Sequence, residues 1–387
     1  MLMGIPLYSP TQGQTGVTGV ETDMNERTPA IAVADHDKAL EALLRGLPVT
    51  RLIDYGVSRE NALSLVQQAL DVDAWIARAC RIADHQGGLA QAALADGCPL
   101  LAAQYLEWQA AVLNIAQLAY NADVPHKLAL YRAAVETWAR SGALSGEFRL
   151  LDYGIGTSRG KVWAFGPGNP VGCVIIWGGL SGWGMSYLGM ARALARRGMA
   201  TLLAELPGQG LTRMEGGVAL RRERLADLGP LIDLAGSMAP KTGVMGNSFG
   251  GLLAAHVAAQ YPRRVAACCI NGAAPVIAVP QHRAPREQML AASGLNDADI
   301  GQWLSEFNFD HRQTPLRCPV LVVEGGADPL VPVGAQADFL SGGSPGSRLL
   351  HWADGEHTIY NHATDRNALV SAWFADRFST AQGIHHE

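Results

Sequence analysis

The sequence predicts an α/β fold, in which a mainly parallel sheet with helices on both faces is preceded by an all-helical N-terminal domain. Three observations support this prediction. From about residue 31 to 140, apolar residues recur at helical spacing and almost nothing has the pattern of a strand. From about residue 145, short continuous apolar segments alternate with helical ones, as in parallel sheets that are covered on both faces. One of these segments, at residues 241–261, runs into a glycine-rich turn and then a small-residue helix.

Composition limits the classes of function. The chain has 387 residues, of which 48% are hydrophobic, enough for a large core in one large domain with an addition or in two domains. A net charge of −5 and the lack of a basic run predict no nucleic-acid partner. The six cysteines have no C-x-x-C spacing, which favours reduced thiols in a cytoplasmic protein over zinc or disulfides, and no metal is expected. No stretch reaches the roughly 18 apolar residues of a membrane helix, so no membrane partner is expected.

The N-terminal third divides into an arm and a helical domain. Residues 1–28 lack the basic start and apolar core of a secretion signal, and their Gly, Thr and Gln content predicts a flexible arm. Residues 29–144 are expected to form a helical cap domain. Its last helix should begin at Pro125, because proline suits the first helical turn, and end at Gly142.

The remainder, residues 145–387, should form the sheet-containing core. Two strands, at 148–154 and 161–168, are expected to pair as a hairpin. Six further buried strands follow, at VGCVIIWGG, MATLLAEL, TGVMGN, RVAACCINGA, PVLVVEGG and SRLLHW, and helices are expected near 185–197, 221–235 and 363–378. The interval at about 274–315 is polar and helical without a clear strand. Because a structureless loop of that length is unusual, we expect a helical lid segment there.

Residues 246–250, Gly-Asn-Ser-Phe-Gly, fit the Gly-x-Ser-x-Gly pattern between a strand and a helix. In that context the serine sits on a sharp turn at a strand end, and the glycines are needed because side chains would collide there. Ser248 is therefore predicted to be a catalytic nucleophile. A second match at 342–346 surrounds Ser344, but it lacks the strand and helix, and Pro345 has no N–H to donate. Ser344 is interpreted as a turn serine.

A serine hydroxyl needs a base to take its proton and a third group to orient that base. When the nucleophile lies on a strand-to-helix elbow, the acid follows a late strand and the histidine comes last. Asp328 follows the strand PVLVVEGG and His357 follows the last strand, so the predicted catalytic residues are Ser248, Asp328 and His357. Alternatives remain open for the acid, which could be Glu324, Asp354 or Glu356, and for the base, for which His362 is the nearest rival. His351 is expected to point from the last strand, and His256 is interpreted as a core residue of the elbow helix.

An oxyanion that forms during attack needs preorganised donors. The N–H of Phe249, directly after the nucleophile, is one candidate. The loop after VIIW is expected to supply the other, from Leu180 or Gly179. Neither glycine-rich turn has a Gly-Lys-Ser/Thr or Gly-x-Gly-x-x-Gly pattern, so no nucleotide or other cofactor is predicted.

These motifs, together with GGLSGWG, RRGMATLLAELPGQG and ADGEH, resemble those of the alpha/beta-hydrolase superfamily. Within it, the helical domain and LPGQG are similar to 2,6-dihydroxypseudooxynicotine hydrolase and related hydrolases with a helical N-terminal cap domain, over about residues 90–378. The resemblance implies carbon–carbon bond hydrolysis of an activated ketone, in a pocket between the helical domain and the core, often in a homodimer. Ser181 stands where the family has an acidic residue that assists cleavage. Serine cannot act as a carboxylic acid, which leaves ester or lactone chemistry open.

The sequence thus predicts a cofactor-free serine hydrolase for a bulky, mostly apolar acyl or ketone small molecule, and the resemblance implies a homodimer. Candidate pocket residues are Ser181, Trp183, Tyr105, Trp108 and Tyr120. Two alternatives stay open. The first is acyl transfer or cyclisation through the same acyl-enzyme. The second is a non-catalytic binding protein on a hydrolase fold, because fold alone does not fix function.

Overall fold

The structure, a computed structural model, describes residues 31–379 except Gln68 and Gly343, and only the backbone of residues 31–37. The predicted arm at 1–28 lies outside these residues. Up to Ser145 the described elements are all helices, which confirms a helical region ahead of the sheet. They are α1 (Ile31–Gly46), α2 (Val49–Asp54), α3 (Arg59–Gln67), α4 (Val72–Ala95), α5 (Pro99–Gln117) and α6 (Pro125–Ser145).

The end of α6 differs from the prediction. The helix continues through Gly142 to Ser145, and Gly146 ends it with φ 69°, the left-handed conformation usual at a helix end. Gly142 serves close packing instead, because a Cβ there would lie 2.4 Å from the carbonyl oxygen of Phe148. The glycine therefore lets the first strand approach the helix.

Eight strands form a sheet in the order β1-β2-β4-β3-β5-β6-β7-β8. β1 and β2 form the predicted antiparallel hairpin, β2 also pairs antiparallel with β4, and all other pairs are parallel. The mainly parallel sheet is thus confirmed. The strands are β1 (Phe148–Ile155), β2 (Ser158–Phe165), β3 (Cys173–Trp177), β4 (Ala200–Ala204), β5 (Thr242–Asn247), β6 (Val265–Asn271), β7 (Val320–Gly325) and β8 (Arg348–Trp352).

Helices cover both faces of this sheet. Successive residues of β3 enter different hydrophobic clusters, Ile175 on one side and Val174 with Ile176 on the other, which explains why the strand is apolar throughout. The helices are α7 (Leu188–Ala195), α8 (Gly210–Met214), α9 (Gly229–Met238), α10 (Phe249–Gln260), α11 (Arg283–Ser293), α12 (Ile300–Ser305) and α13 (Ala363–Ser379). Short 3-10 turns at Gly184–Tyr187, Glu223–Leu228, Ala337–Leu340 and His357–His362 were not expected as separate elements.

The interval 274–315 contains α11 and α12 and, within the described residues, no strand. The indole of Trp303 in α12 stacks on Phe249, with ring centroids 5.8 Å apart and planes at 13°. Its Nε1 donates a 3.0 Å hydrogen bond to the carbonyl of Leu220. This segment therefore packs against the start of α10, next to Ser248. In the part of the chain that the structure describes, no helix is both long enough and apolar enough to cross a membrane.

Candidate active site

Ser248 lies between β5 and α10 with φ 58° and ψ −134°, a conformation that non-glycine residues rarely adopt. The surrounding backbone holds this strain in place. A Cβ on Gly246 would lie 1.9 Å from the carbonyl oxygen of Gly250, and a Cβ on Gly250 would lie 2.1 Å from that of Gly178. Both positions therefore require glycine, for the steric reason inferred from the sequence.

Hydrogen bonds join the three predicted catalytic side chains in series. His357 Nε2 lies 2.9 Å from Ser248 Oγ, and His357 Nδ1 lies 2.8 Å from Asp328 Oδ2. Asp328 is fixed in turn, since its Oδ1 accepts hydrogen bonds from the backbone N–H groups of Leu330 (2.8 Å) and Val331 (3.1 Å). A carboxylate at Nδ1 favours the imidazole tautomer whose Nε2 lone pair faces the serine. This arrangement can take a proton from Ser248.

The alternative acids and bases have other partners. His351 lies 3.1 Å from Glu324, and His362 lies 2.9 Å from Asp354. Glu356 accepts a 2.5 Å hydrogen bond from Thr50 Oγ1. The geometry thus brings Asp328 and His357 to Ser248 and pairs these candidates elsewhere.

His256 is a core residue, as its place in the elbow helix suggested. It is 2% exposed, with Nε2 2.8 Å from the carbonyl oxygen of Phe307 and Nδ1 3.0 Å from Arg222 Nη2. Burial lowers the pKa of His256 to about 4, so its imidazole is neutral near pH 7. Ser344, the serine of the second Gly-x-Ser-x-Gly match, begins a turn ahead of β8, where its carbonyl oxygen accepts a 3.1 Å hydrogen bond from the N–H of Ser347.

The loop after β3, residues 178–183, passes directly over Ser248, and because one oxyanion donor is predicted from it we refer to it as the oxyanion loop. A Cβ on Gly179 would lie 3.0 Å from Ser248 Cβ and 3.1 Å from the backbone nitrogen of Phe249. Among the described residues, the N–H groups of Leu180 and Phe249 have no protein acceptor. These two N–H groups, one in this loop and one directly after the nucleophile, are free to donate to a ligand, and their role as oxyanion donors stays a prediction.

Sequence reasoning gave no role to Gln209, which holds this loop. Its Nε2 donates to the carbonyl oxygens of Gly178 (2.6 Å) and Gly179 (3.0 Å), while its Oε1 accepts from the N–H of Leu206 (2.9 Å). The side chain is 3% exposed. In the sequence, LPGQG is identified only as part of the family resemblance. A glutamine between the two glycines of a tight turn is the signal that could have pointed to Gln209.

The histidine turn, residues 354–362, is held by two asparagines at neighbouring strand ends. Asn271 Nδ2 donates to Asn247 Oδ1 (2.8 Å) and to the carbonyl oxygen of Thr358 (3.2 Å). Thr358 and Ile359 have φ of 53° and 63°, which is strained for β-branched residues. The backbone after His357 is therefore kept in an unfavourable conformation by tertiary contacts.

Two of the predicted pocket residues lie in the oxyanion loop and contact the helical region. Ser181 accepts hydrogen bonds from Arg51. Trp183 is 1% exposed and meets Tyr131 edge-on, with centroids 5.4 Å apart. Lys127 Nζ lies 5.4 Å from the Trp183 ring centroid, and burial, with Arg213 nearby, lowers the pKa of Lys127 to about 8.

The other three predicted pocket residues have aromatic partners within the helical region. Tyr105 and Trp108, one helical turn apart on α5, contact each other with centroids 5.7 Å apart. Tyr120 stacks on His126, with centroids 6.2 Å apart. Helical spacing alone does not say which face of α5 meets the core, and these contacts give no support to a pocket role.

Glu205, at the end of β4, ties the sheet to the helical region. It is completely buried and accepts a 2.5 Å hydrogen bond from Tyr131 Oη and a 3.2 Å one from the N–H of Thr212. Burial raises the pKa of Glu205 to about 7, an effect that these hydrogen bonds reduce. A carboxyl group that titrates near neutral pH thus lies under the turn that carries Gln209.

Two further features of the described residues lie outside this site. Side-chain atoms of Asp310, His311 and Asp338 lie within 4.8 Å of one another, but His311 Nδ1 is already paired with Asp338 at 2.7 Å. A surface cleft of about 750 Å³ lies between α6, the β1–β2 hairpin and α9. Neither the three predicted catalytic residues nor the residues of the oxyanion loop line it.

Comparisons with known proteins agree with the fold. A family model described as serine aminopeptidase, S33, matches residues 168–304, a range that includes Ser248 and the oxyanion loop but ends before Asp328. No curated protein matches the sequence significantly. A solved structure of 2,6-dihydroxy-pseudo-oxynicotine hydrolase is similar, with a TM-score of 0.74, 22% identity, and coverage of 85% of this chain and 95% of that one. Wild-type AbyA5 has a TM-score of 0.65, 19% identity, and coverage of 89% and 94%. These likenesses extend the shared fold into the helical region.

Proposed function

We propose that this chain is an enzyme of the alpha/beta-hydrolase superfamily, a serine hydrolase that attacks the carbonyl of a small molecule through Ser248. The observation that carries the proposal is the hydrogen-bonded series from Asp328 through His357 to Ser248. The positive φ of Ser248 adds support, because strain of this kind persists only where surrounding structure enforces it and clusters at active sites.

The geometry suits a two-step acyl-enzyme mechanism. His357 Nε2 takes the hydroxyl proton as Ser248 Oγ bonds to the carbonyl carbon, and the carbonyl oxygen becomes an oxyanion facing the N–H groups of Phe249 and Leu180. Collapse of this intermediate breaks the bond to the leaving group, which receives the proton from His357. Water then attacks the acyl-enzyme with His357 again as base, and the acid product leaves as Ser248 regains its proton.

The leaving group separates two substrate classes. An ester or lactone releases an alkoxide oxygen, whereas a ketone releases a carbanion that must be stabilised and protonated at carbon. The similar structure at TM-score 0.74 is named a 2,6-dihydroxy-pseudo-oxynicotine hydrolase, and it motivates trials with bulky ketones. Ser181 has no carboxylic acid that could protonate such a carbanion, and its hydroxyl already accepts a hydrogen bond from Arg51. We therefore propose a bulky, mostly apolar acyl or ketone substrate, with esters and lactones tested alongside ketones.

The domain roles belong to the same proposal. Residues 29–144 would cap the site, and the segment at 274–315 would act as its lid, because α12 packs on Phe249 beside the nucleophile. We also propose that the protein is cytoplasmic and forms a homodimer.

The test is intact mass after incubation with a fluorophosphonate probe, comparing wild type with Ser248→Ala and Ser344→Ala. We expect wild type and Ser344→Ala to gain one adduct and Ser248→Ala to gain none. Folded wild type without an adduct would overturn the proposal and favour a non-catalytic binding protein. Product analysis with a labelled substrate then separates hydrolysis from acyl transfer or cyclisation, which share the acyl-enzyme.

A further inference from the structure

The short helix α2 (Val49–Asp54) contacts both the oxyanion loop and the histidine turn. It is anchored in the core of the helical region, because Leu52 is fully buried and Tyr55, the residue after the helix, is 2% exposed. Tyr55 also reaches the site, where a Cβ on Gly182 would lie 2.1 Å from its hydroxyl oxygen.

Arg51 forms the contact with the oxyanion loop. Its Nη2 donates to Ser181 Oγ (2.9 Å) and to the Ser181 carbonyl oxygen (3.2 Å), and its Nη1 donates to the carbonyl of Gly46 (2.7 Å). The guanidinium carbon lies 5.0 Å from the ring centroid of Tyr55 and 5.4 Å from that of Tyr360. Aromatic rings and hydrogen bonds at several edges fix the orientation of this planar cation. The backbone directly after Leu180 is thus bound to α2.

Thr50 and Asp54 form the contact with the histidine turn. Thr50 Oγ1 donates a 2.5 Å hydrogen bond to Glu356, the residue before His357. Both Asp54 oxygens accept from Arg366, from Nη1 at 3.0 Å and Nη2 at 2.8 Å. Arg366 is 4% exposed, and its Nη1 also donates to the carbonyl oxygen of Thr358 at 2.9 Å. Residues on either side of His357 are therefore linked to the same helix.

From these contacts we propose that α2 is a positioning element that fixes the separation between the oxyanion donors and His357. Thr50, Arg51 and Asp54 are its positioning residues, acting through Ser181, Glu356 and Arg366. The helical region is then part of the catalytic arrangement as well as a cover for the substrate. The inference rests on the proposed function. A geometric error of about 1 Å can reduce a catalysed rate about 100-fold, which is why such a link affects turnover.

Matched variants test the contacts of Thr50 and Arg51. Thr50→Val removes the hydroxyl at nearly constant shape, and Thr50→Ser keeps it. Arg51→Met removes the donors and the charge, and Arg51→Lys keeps the charge without the planar fork. Ile53→Ala changes a residue of the same helix that is 43% exposed. The readouts are amide hydrogen exchange of peptides covering 178–183 and 354–362, the second-order rate of fluorophosphonate labelling, kcat and KM for a p-nitrophenyl ester, and Tm.

We expect Thr50→Val to speed exchange in 354–362 and Arg51→Met to speed it in 178–183. Each should slow labelling and lower kcat about 10-fold with KM nearly unchanged. Thr50→Ser should recover the wild-type rate, Arg51→Lys should recover part of it, and Ile53→Ala should match wild type. A purely structural role for α2 predicts a lower Tm with unchanged kcat per folded molecule. That result, or unchanged exchange in both peptides, would overturn the proposal.

Failure of the proposed function gives a different pattern. If wild type does not label, the catalytic part of this inference falls with the proposed function. Exchange in the two peptides still decides whether α2 holds both segments.

Discussion

His357 Nε2 lies 2.9 Å from Ser248 Oγ although the two residues are 109 positions apart. Ser248 follows β5 and His357 follows β8, and two strands of the sheet lie between them. The histidine turn spans this gap with two β-branched residues at positive φ, held by Asn271 at the end of β6. The contact is therefore a product of long-range packing, and it is sensitive to what holds the turn.

Replacing Asp328 with Asn should lower kcat about 10,000-fold while the fold is retained, because an amide at Nδ1 favours the wrong imidazole tautomer. The measurement is turnover of a p-nitrophenyl ester, or the labelling rate if turnover is too slow. Glu324→Gln is the matched control, since Glu324 lies in the same region and pairs with His351. A larger loss in Glu324→Gln would identify Glu324 as the acid.

Gln209→Met should lower kcat about 10- to 100-fold with a small change in KM, because the oxyanion loop loses the donor that holds Gly178 and Gly179. Circular dichroism and Tm establish the folded fraction. Gln117→Met is the control: this glutamine is fully buried and its amide has no partner among the described residues. That control should keep kcat and gain stability, because it removes unsatisfied polar atoms. Equal kcat losses in both variants would contradict a specific role for Gln209.

Gly246→Ala should destabilise the protein by about 3 kcal/mol or more, because the added Cβ would lie 1.9 Å from the carbonyl oxygen of Gly250. Gly236→Ala, in the exposed part of α9, meets no atom within 4 Å and should raise stability by up to about 1 kcal/mol. Urea unfolding of both variants checks this. Comparable effects in the two would show that the elbow tolerates a side chain.

Glu205 should make stability decrease as pH rises. Its pKa is raised from 4.5 to about 7 by burial, so between these values the folded protein binds more protons than the unfolded chain. The free energy of unfolding should therefore fall across this window, by about 3 kcal/mol at most. His256 acts oppositely: its pKa is lowered to about 4 from 6.5, so stability rises with pH between those values.

The difference between wild type and Glu205→Gln separates the two effects, because glutamine has no titration in this range and His256 is common to both proteins. Urea unfolding at pH 4.5 and pH 8 should show that the free energy of unfolding of the variant, relative to that of wild type, increases as pH rises. Parallel stability curves would contradict a raised pKa at Glu205.

Features that depend on near neighbours could be predicted from the amino-acid sequence alone. Alternating apolar strands and helices predicted the mainly parallel sheet, and the helical spacing before residue 145 predicted the helical region. Gly246 and Gly250 identified the elbow around Ser248, because the steric limits on such a turn are local. The order of Ser248, Asp328 and His357 along the chain was sufficient to propose a hydrogen-bonded series that the structure then brings together.

The tertiary structure shows which distant groups meet. It paired Glu324 with His351 and Asp354 with His362, which sequence order could not exclude. It turned Tyr105 and Trp108 toward each other, because the face that a helix presents to its neighbours follows from packing. It also brought Gln209 to the oxyanion loop and α2 to both sides of the site. Such contacts join segments that are far apart in the sequence. Local patterns do not predict them, because the free energy that forms them comes from burial and hydrogen bonding of the whole chain.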